Sequence, residues 1–145
     1  MLSRVELAAY RPHRWSDVGG RIIAAWTRSP YSHCEIVIDG MCYTSSIRDG
    51  GVRAKLIDTS APHWTVLPVP WADAERALSV YRSMQGMPYG WMDLIAQHVL
   101  RLPITGRGVI CSEICAAMLG LPRPESYHPG GLVEYVVARS SATAI

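Results

Sequence analysis

The chain has no phenylalanine among its 145 residues, no run of 18 apolar residues, no basic tract and no internal repeat. Each absence removes a class of reading. Without a long apolar run there is no candidate membrane-spanning helix. A formal net charge of +2, with Lys and Arg scattered along the chain, argues against nucleic acid or an anionic membrane as the main partner. Arg4, Glu6 and Arg11 interrupt any apolar stretch near the N-terminus, so no secretory leader is expected and a cytoplasmic location follows. The four cysteines, at 34, 42, 111 and 115, lack the two-residue separations of a structural zinc module, and reduced thiols are expected rather than disulfides. No metal or other cofactor is expected.

What is present points to one domain spanning residues 1–145, in which 49 % hydrophobic and 18 % charged residues suffice for a substantial core. Aromatic packing falls to 5 Trp and 7 Tyr. The pattern predicts strands over Val5 to Tyr10 and Trp64 to Val69, and helices over Asp17 to Arg28, Ala72 to Met84 and Trp91 to Leu100. Leu121-Pro122-Arg123-Pro124 predicts an extended exit from the helix before it, Leu132 to Val137 a last strand or helical turn, and Ser-Ser-Ala-Thr-Ala a frayed tail. Helices beside a mostly antiparallel sheet make the fold class α+β.

Two segments carry chemistry. In Val109-Ile110-Cys111-Ser112-Glu113-Ile114-Cys115 a thiol stands where a short apolar strand turns into a helix. Unpaired N–H groups and the positive end of the helix dipole favour the thiolate there, and the same donors suit an oxyanion. A buried cysteine that only packs its helix has the same pattern, so a base must be found elsewhere. In Tyr31-Ser32-His33-Cys34-Glu35-Ile36-Val37-Ile38-Asp39-Gly40-Met41-Cys42-Tyr43-Thr44-Ser45-Ser46, Asp-Gly marks a two-residue hairpin turn.

If Asp39-Gly40 is the whole turn, opposed residue numbers sum to 79, which sets Glu35 against Thr44 and His33 against Ser46. His33, Glu35 and Val37 then share one face, and Cys34, Ile36 and Ile38 the other. A solvated face of an edge hairpin would show the same alternation. Two glycines after Asp49 call for positive φ or close backbone approach on the way into another strand. Among the other histidines, only His98, on a helix, rivals His33 as a base.

A strand His, polar residues around the hairpin, and only later a Cys at a helix start within Cys111-Ser112-Glu113 resemble the circularly permuted papain-like cysteine amidases and hydrolases of the YiiX and YaeF type. These are relatives of the NlpC-type peptidases and of lecithin retinol acyltransferase-like enzymes. Gly86-Met87-Pro88-Tyr89 stands where such relatives carry a Gly-x-Pro-Tyr segment before the nucleophile, so the resemblance runs from about Tyr31 to about Leu121. It implies a permuted papain-like fold, with Cys111 as nucleophile, His33 as base and acid, and Tyr89 beside the nucleophile as an oxyanion donor. It also implies a polar residue on the hairpin return that orients the imidazole, which by position is Thr44. The family more often has Glu, His or Asn there, which keeps Glu35 and Ser46 as alternatives. The implied activity is acyl transfer from a small peptide, amide or lipid-like ester to water or an acceptor. A catalytically silent binding or structural module of the same fold, of phage origin, is the competing expectation.

Overall fold

The structure is a computed structural model that describes residues 3–12, 29–46, 48–90 and 110–143. The expected helices over Asp17 to Arg28 and Trp91 to Leu100, and with them His98, lie outside the described residues. Five strands form one antiparallel sheet: β1 (Val5–Tyr10), β2 (His33–Ile38), β3 (Met41–Ser46), β4 (Gly51–Leu56) and β5 (Trp64–Pro68), in the order β4-β3-β2-β1-β5. Among the described residues three α-helices accompany it: α1 (Ala74–Met84), α2 (Cys111–Met118) and α3 (Pro129–Thr143), with a short 3-10 turn at Pro124–Ser126. The fold is α+β, as the element pattern predicts. No helix among the described residues is long and apolar enough to cross a membrane.

Period-2 alternation sorts the strand residues onto two faces. Val5, Leu7, Ala9, Cys34, Ile36, Ile38 and Val52 pack with Ala77 and Tyr81 of α1, Ile114, Cys115 and Met118 of α2, and Leu132, Val133 and Val136 of α3. Ala8, Val37 and Cys42 form a smaller cluster on the other face, under Ile57, Trp64 and Val66. The face bearing Glu35 and Val37 is therefore not solvated: Glu35 has no exposed surface and Val37 is 5 % exposed.

The hairpin register is the expected one, with Ile36 opposite Tyr43, Val37 opposite Cys42 and Ile38 opposite Met41. Asp39 and Gly40 both adopt positive φ, +49° and +88°, which matches the twist of a two-residue hairpin turn. Pairing of β2 with β3 stops there, so the ladder does not extend to the anticipated Glu35–Thr44 and His33–Ser46 pairs. Helix α1 begins at Ala74, two residues later than the pattern suggested, because the Asp73 carboxylate accepts from the N–H groups of Glu75 and Arg76 and so acts as the N-cap.

The C-terminal segment differs from expectation. In place of a short element and a frayed tail there is one helix from Pro129 to Thr143. Proline at the first helical position has a suitable φ and no N–H to waste, and the His128 imidazole nitrogen Nδ1 accepts from Gly131 N–H at 3.1 Å. Burial lowers the His128 pKa, which favours the neutral ring that this capping bond requires. Burial of Leu132, Val133 and Val136 then outweighs the weak helix preference of the glycines and serines. The exit from α2 also departs from the extended path, since Arg123 sits in the left-handed region at φ +49° before the 3-10 turn.

Candidate active site

Cys111 is the first residue of α2 and His33 the first of β2, so both stand at the ends of their elements. Ile110 occupies the N-cap position of α2 and has no side chain that accepts from the first-turn N–H groups. Cys111 lies near enough to His33 for hydrogen bonding and charge between them to move both pKa values. The His33 ring donates through Nε2 to Glu35 Oε2 at 2.6 Å, so Nδ1 is the ring nitrogen that Glu35 does not engage. The imidazole is 23 % exposed at its side chain, whereas the Glu35 side chain is 1 % exposed. One edge of the site is thus open and its floor is closed.

The charges follow from this placement. Burial, the largest influence on His33, pulls its pKa down, but hydrogen bonds and charge from Cys111 and Glu35 outweigh it and raise the value from 6.5 to about 10. The Cys111 pKa is held well below the ordinary thiol range, by hydrogen bonding from Cys34 and by His33 acting against burial. Cys34 moves the opposite way, its pKa raised by hydrogen bonding to Cys111 and Cys115 and by burial. His33 acts on Cys111 alone of the two, so the anion of this thiol pair belongs on Cys111 and Cys34 remains a donor. Burial also pushes the Cys42 thiol up to about 11. All four cysteines are free and buried.

Glu35 is the side chain that orients His33. Buried without partners, its carboxylate would be expensive, and Arg53 on β4 supplies two parallel hydrogen bonds, Nη1 to Oε1 at 2.7 Å and Nη2 to Oε2 at 2.8 Å. Burial raises the Glu35 pKa, yet His33 and Arg53 together bring it below the ordinary value. Arg53 is anchored in turn by Asp49, whose Oδ2 accepts from Nε at 2.7 Å. Thr44, the positional favourite, does something else: its hydroxyl donates to the Cys34 carbonyl at 2.7 Å. The physical reason is the early end of the β2–β3 ladder, which leaves that carbonyl to be satisfied by a side chain. Cys115 Sγ, 3.6 Å from the same oxygen, shares the task. Ser46 hydrogen bonds to Asp49 and not to His33.

Tyr89 lies within range of the charge on Cys111. Val52 N–H donates to Met87 O at 2.9 Å, Gly86 N–H donates to Val52 O at 3.2 Å, and Pro88 bridges to Gly51. This docks Gly86-Met87-Pro88-Tyr89 along the start of β4. Burial, followed by the charge on Cys111 and the neighbouring Cys34, drives the Tyr89 pKa upward, so the hydroxyl keeps its proton and remains a donor. Gly51 makes the approach possible: at φ +146°, a Cβ there would lie 2.1 Å from Met87 O.

Arg53 is the participant that the sequence left unassigned. It lies opposite Thr44 in the β3–β4 register, and the expected hairpin register placed Thr44 opposite Glu35. Combining the two registers would have put the guanidinium and carboxylate on one face, two strands apart, with only a threonine between them. That inference needed the β3–β4 turn length, which Arg48-Asp49-Gly50-Gly51 does not specify.

Among the described residues, no group of three His, Cys, Asp or Glu side chains could hold a metal ion. Comparison with protein-family models, curated proteins and solved structures gives no match to the chain.

Proposed function

We propose that the chain is a cysteine hydrolase or acyltransferase of circularly permuted papain-like fold, acting on an amide or ester through an acyl-enzyme on Cys111. The observation that carries this reading is the Cys111–His33–Glu35 series, in which a helix-terminal thiol whose pKa His33 lowers adjoins an imidazole hydrogen bonded to a buried carboxylate. An inert thiol packing a helix start needs neither partner.

The Cys111 thiolate attacks the carbonyl carbon, and the carbonyl π electrons move onto oxygen. First-turn N–H groups of α2 and the Tyr89 hydroxyl stabilise that oxyanion. As the tetrahedral species collapses, the imidazolium gives its proton to the departing amine or alcohol, leaving a thioester on Cys111 and a neutral His33. Water or an acceptor then attacks the thioester, with His33 taking its proton. Glu35 holds the ring in the tautomer that both half-reactions use. The acyl donor is a small peptide, amide or lipid-like ester, and the free thiols suit a reducing compartment such as the cytoplasm.

Intact-mass measurement after incubation with a panel of acyl thioesters, p-nitrophenyl esters and peptide amides tests the reading. A stoichiometric acyl adduct on Cys111 is expected, absent in Cys111→Ser and slowed in His33→Ala. If no acyl donor gives an adduct and Cys111 alkylates no faster than Cys42, the chain is a binding module and not an enzyme.

A further inference from the structure

Arg53 has a geometry that charge neutralisation alone does not require. A point charge near Glu35 would offset its burial. The guanidinium instead engages both carboxylate oxygens, at 2.7 and 2.8 Å, and is fixed from behind by Asp49 at 2.7 Å. Lys55 Nζ, 3.6 Å from the other Asp49 oxygen, ends the series at the surface. Oε2 is the shared atom, since it accepts from both Arg53 Nη2 and His33 Nε2. Glu35 therefore has one oxygen held wholly by Arg53 and one divided between Arg53 and the imidazole.

We propose that Arg53 is a positioning residue of the Cys111 centre, which aims Glu35 Oε2 at His33 and withdraws part of its negative charge, so that Glu35 orients the imidazolium without trapping its proton. The inference rests on the hydrolase reading above and adds a demand to it. A general acid must release its proton to the leaving group, and a fully localised carboxylate 2.6 Å from Nε2 would resist that release. Sharing the carboxylate with a fork of two N–H donors is a direct way to reduce that hold while fixing the angle. The small side chain of Thr44, opposite Arg53 on the intervening strand, leaves room for the guanidinium to cross β3.

The charged and titratable groups around His33 among the described residues include Cys111 from α2, Glu35 from its own strand and Tyr10, its register partner on β1, with Arg53, Asp49 and Lys55 behind Glu35 and His63 packed on Tyr10. Trp64 of β5 lies edge-on to the ring at 6.5 Å and does not titrate. The two substitutions Glu35→Gln and Arg53→Gln should therefore move His33 in opposite directions. Removing the carboxylate lowers the pH at which the imidazolium loses its proton. Removing the guanidinium returns full charge to Oε2 and raises it.

The experiment is an NMR titration of the His33 ring, assigned with His33→Ala, alongside the rate of Cys111 alkylation by iodoacetamide at pH 6. Arg53→Gln is expected to shift the His33 midpoint upward by roughly half to one pH unit, and Glu35→Gln to shift it downward by at least as much. Arg53→Lys, which keeps the charge and loses the fork, should return the midpoint to near its unsubstituted value, while both Arg53→Gln and Arg53→Lys, which misplace Glu35, alkylate Cys111 more slowly than the unsubstituted chain. The double variant should titrate like Glu35→Gln alone, and it keeps no orphaned buried charge if Arg53→Gln fails to fold. An Arg that served only to hold the fold together would give the other sign, because loosening the site lets His33 fall toward an ordinary imidazole. A downward or absent shift in Arg53→Gln with Cys111 still the most reactive thiol overturns the role given to Arg53. A Cys111 no more reactive than Cys42 in the unsubstituted chain overturns both that role and the hydrolase reading.

Discussion

At the turn end of the β2–β3 hairpin, Ile36, Val37 and Ile38 pair with Tyr43, Cys42 and Met41, and the strands are tied by backbone hydrogen bonds around Asp39-Gly40. At the open end, from the next residue along each strand, that ladder is gone. Glu35, Thr44 and Ser45 are completely buried and Ser46 is 8 % exposed, so polar side chains fill positions that would be apolar in a continuing sheet. The Cys34 carbonyl takes the Thr44 hydroxyl in place of a strand N–H. Glu35 is satisfied by Arg53 and His33. The difference teaches that the candidate site occupies the place where side chains take over from the ladder, and the strands separate enough for α2 to bring Cys111 and Cys115 against them.

Alanine in place of one glycine at each end should separate the two constructions most widely. Gly51→Ala would set a Cβ 2.1 Å from Met87 O and 3.0 Å from Pro88 Cα, both backbone atoms that cannot rotate aside. A loss on the order of 3 kcal/mol is expected from denaturant midpoints, together with slower Cys111 alkylation as the Tyr89 segment moves off β4. At the turn, Gly40 has φ +88° and nothing within 4 Å of a built Cβ, so Gly40→Ala should cost only about 1 kcal/mol and leave alkylation alone. Equal costs would mean that the close approach at Gly51 does not hold the site together.

The next effect is on reactivity. An ordinary thiol with a pKa of about 8.5 is less than ~1 % thiolate at pH 6, whereas the lowered pKa of Cys111 gives it a larger thiolate fraction. Lower intrinsic nucleophilicity offsets part of that gain. Iodoacetamide at pH 6 should accordingly label Cys111 about tenfold to a hundredfold faster than Cys34, Cys42 or Cys115. His33→Ala should remove most of that advantage. Peptide mapping by mass spectrometry reads both rates, and uniform labelling would make Cys111 an ordinary core cysteine.

Acid should weaken the open end selectively. Burial opposes ionisation of Glu35, but His33 and Arg53 prevail and hold its pKa below the ordinary 4.5. The unfolded chain then binds this proton more readily than the folded one, so the contribution is fully present above the unfolded value and disappears as pH falls through the folded one. Denaturant midpoints measured from pH 7 down to the acid range should drop more steeply for the unsubstituted chain than for Glu35→Gln. Parallel curves would show that the Glu35 carboxylate is not held by its partners.

Legibility in the sequence followed the same division. The turn end was readable because Asp-Gly fixes a two-residue loop and alternating apolar residues fix the faces; from these the register follows. His33 and Cys111 were readable as candidates because each sits in a local context that its chemistry needs, a strand start and a helix start; Tyr89 entered only through the resemblance of Gly86-Met87-Pro88-Tyr89 to a family segment. Glu35 was one of three alternatives, and the register alone favoured Thr44. Deciding between them required knowing where the β2–β3 ladder stops and what faces Glu35 from β4, and both are properties of packing between distant segments. The terminal helix was missed for a related reason. Its Pro-Gly-Gly start and Ser-rich end have poor helix propensity, and only the burial of Leu132, Val133 and Val136 against the core overrides it.

The smallest effect bears on the residue that position favoured. Thr44→Val keeps shape and β-branching and removes one hydroxyl, the donor 2.7 Å from the Cys34 carbonyl. Cys115 Sγ remains 3.6 Å from that oxygen as a weaker donor, so the carbonyl is not left wholly unsatisfied. A stability loss of about 1 kcal/mol is expected, near the net value of one hydrogen bond. Because Glu35 and not Thr44 holds the imidazole, the His33 midpoint and the Cys111 alkylation rate should stay where they are in the unsubstituted chain. In Glu35→Gln both should move, with stability falling more because Arg53 loses its buried counter-ion. If Thr44→Val instead slows alkylation as much as Glu35→Gln does, the hydroxyl positions the catalytic ring through the Cys34 backbone, and the open end would be organised by Thr44 after all.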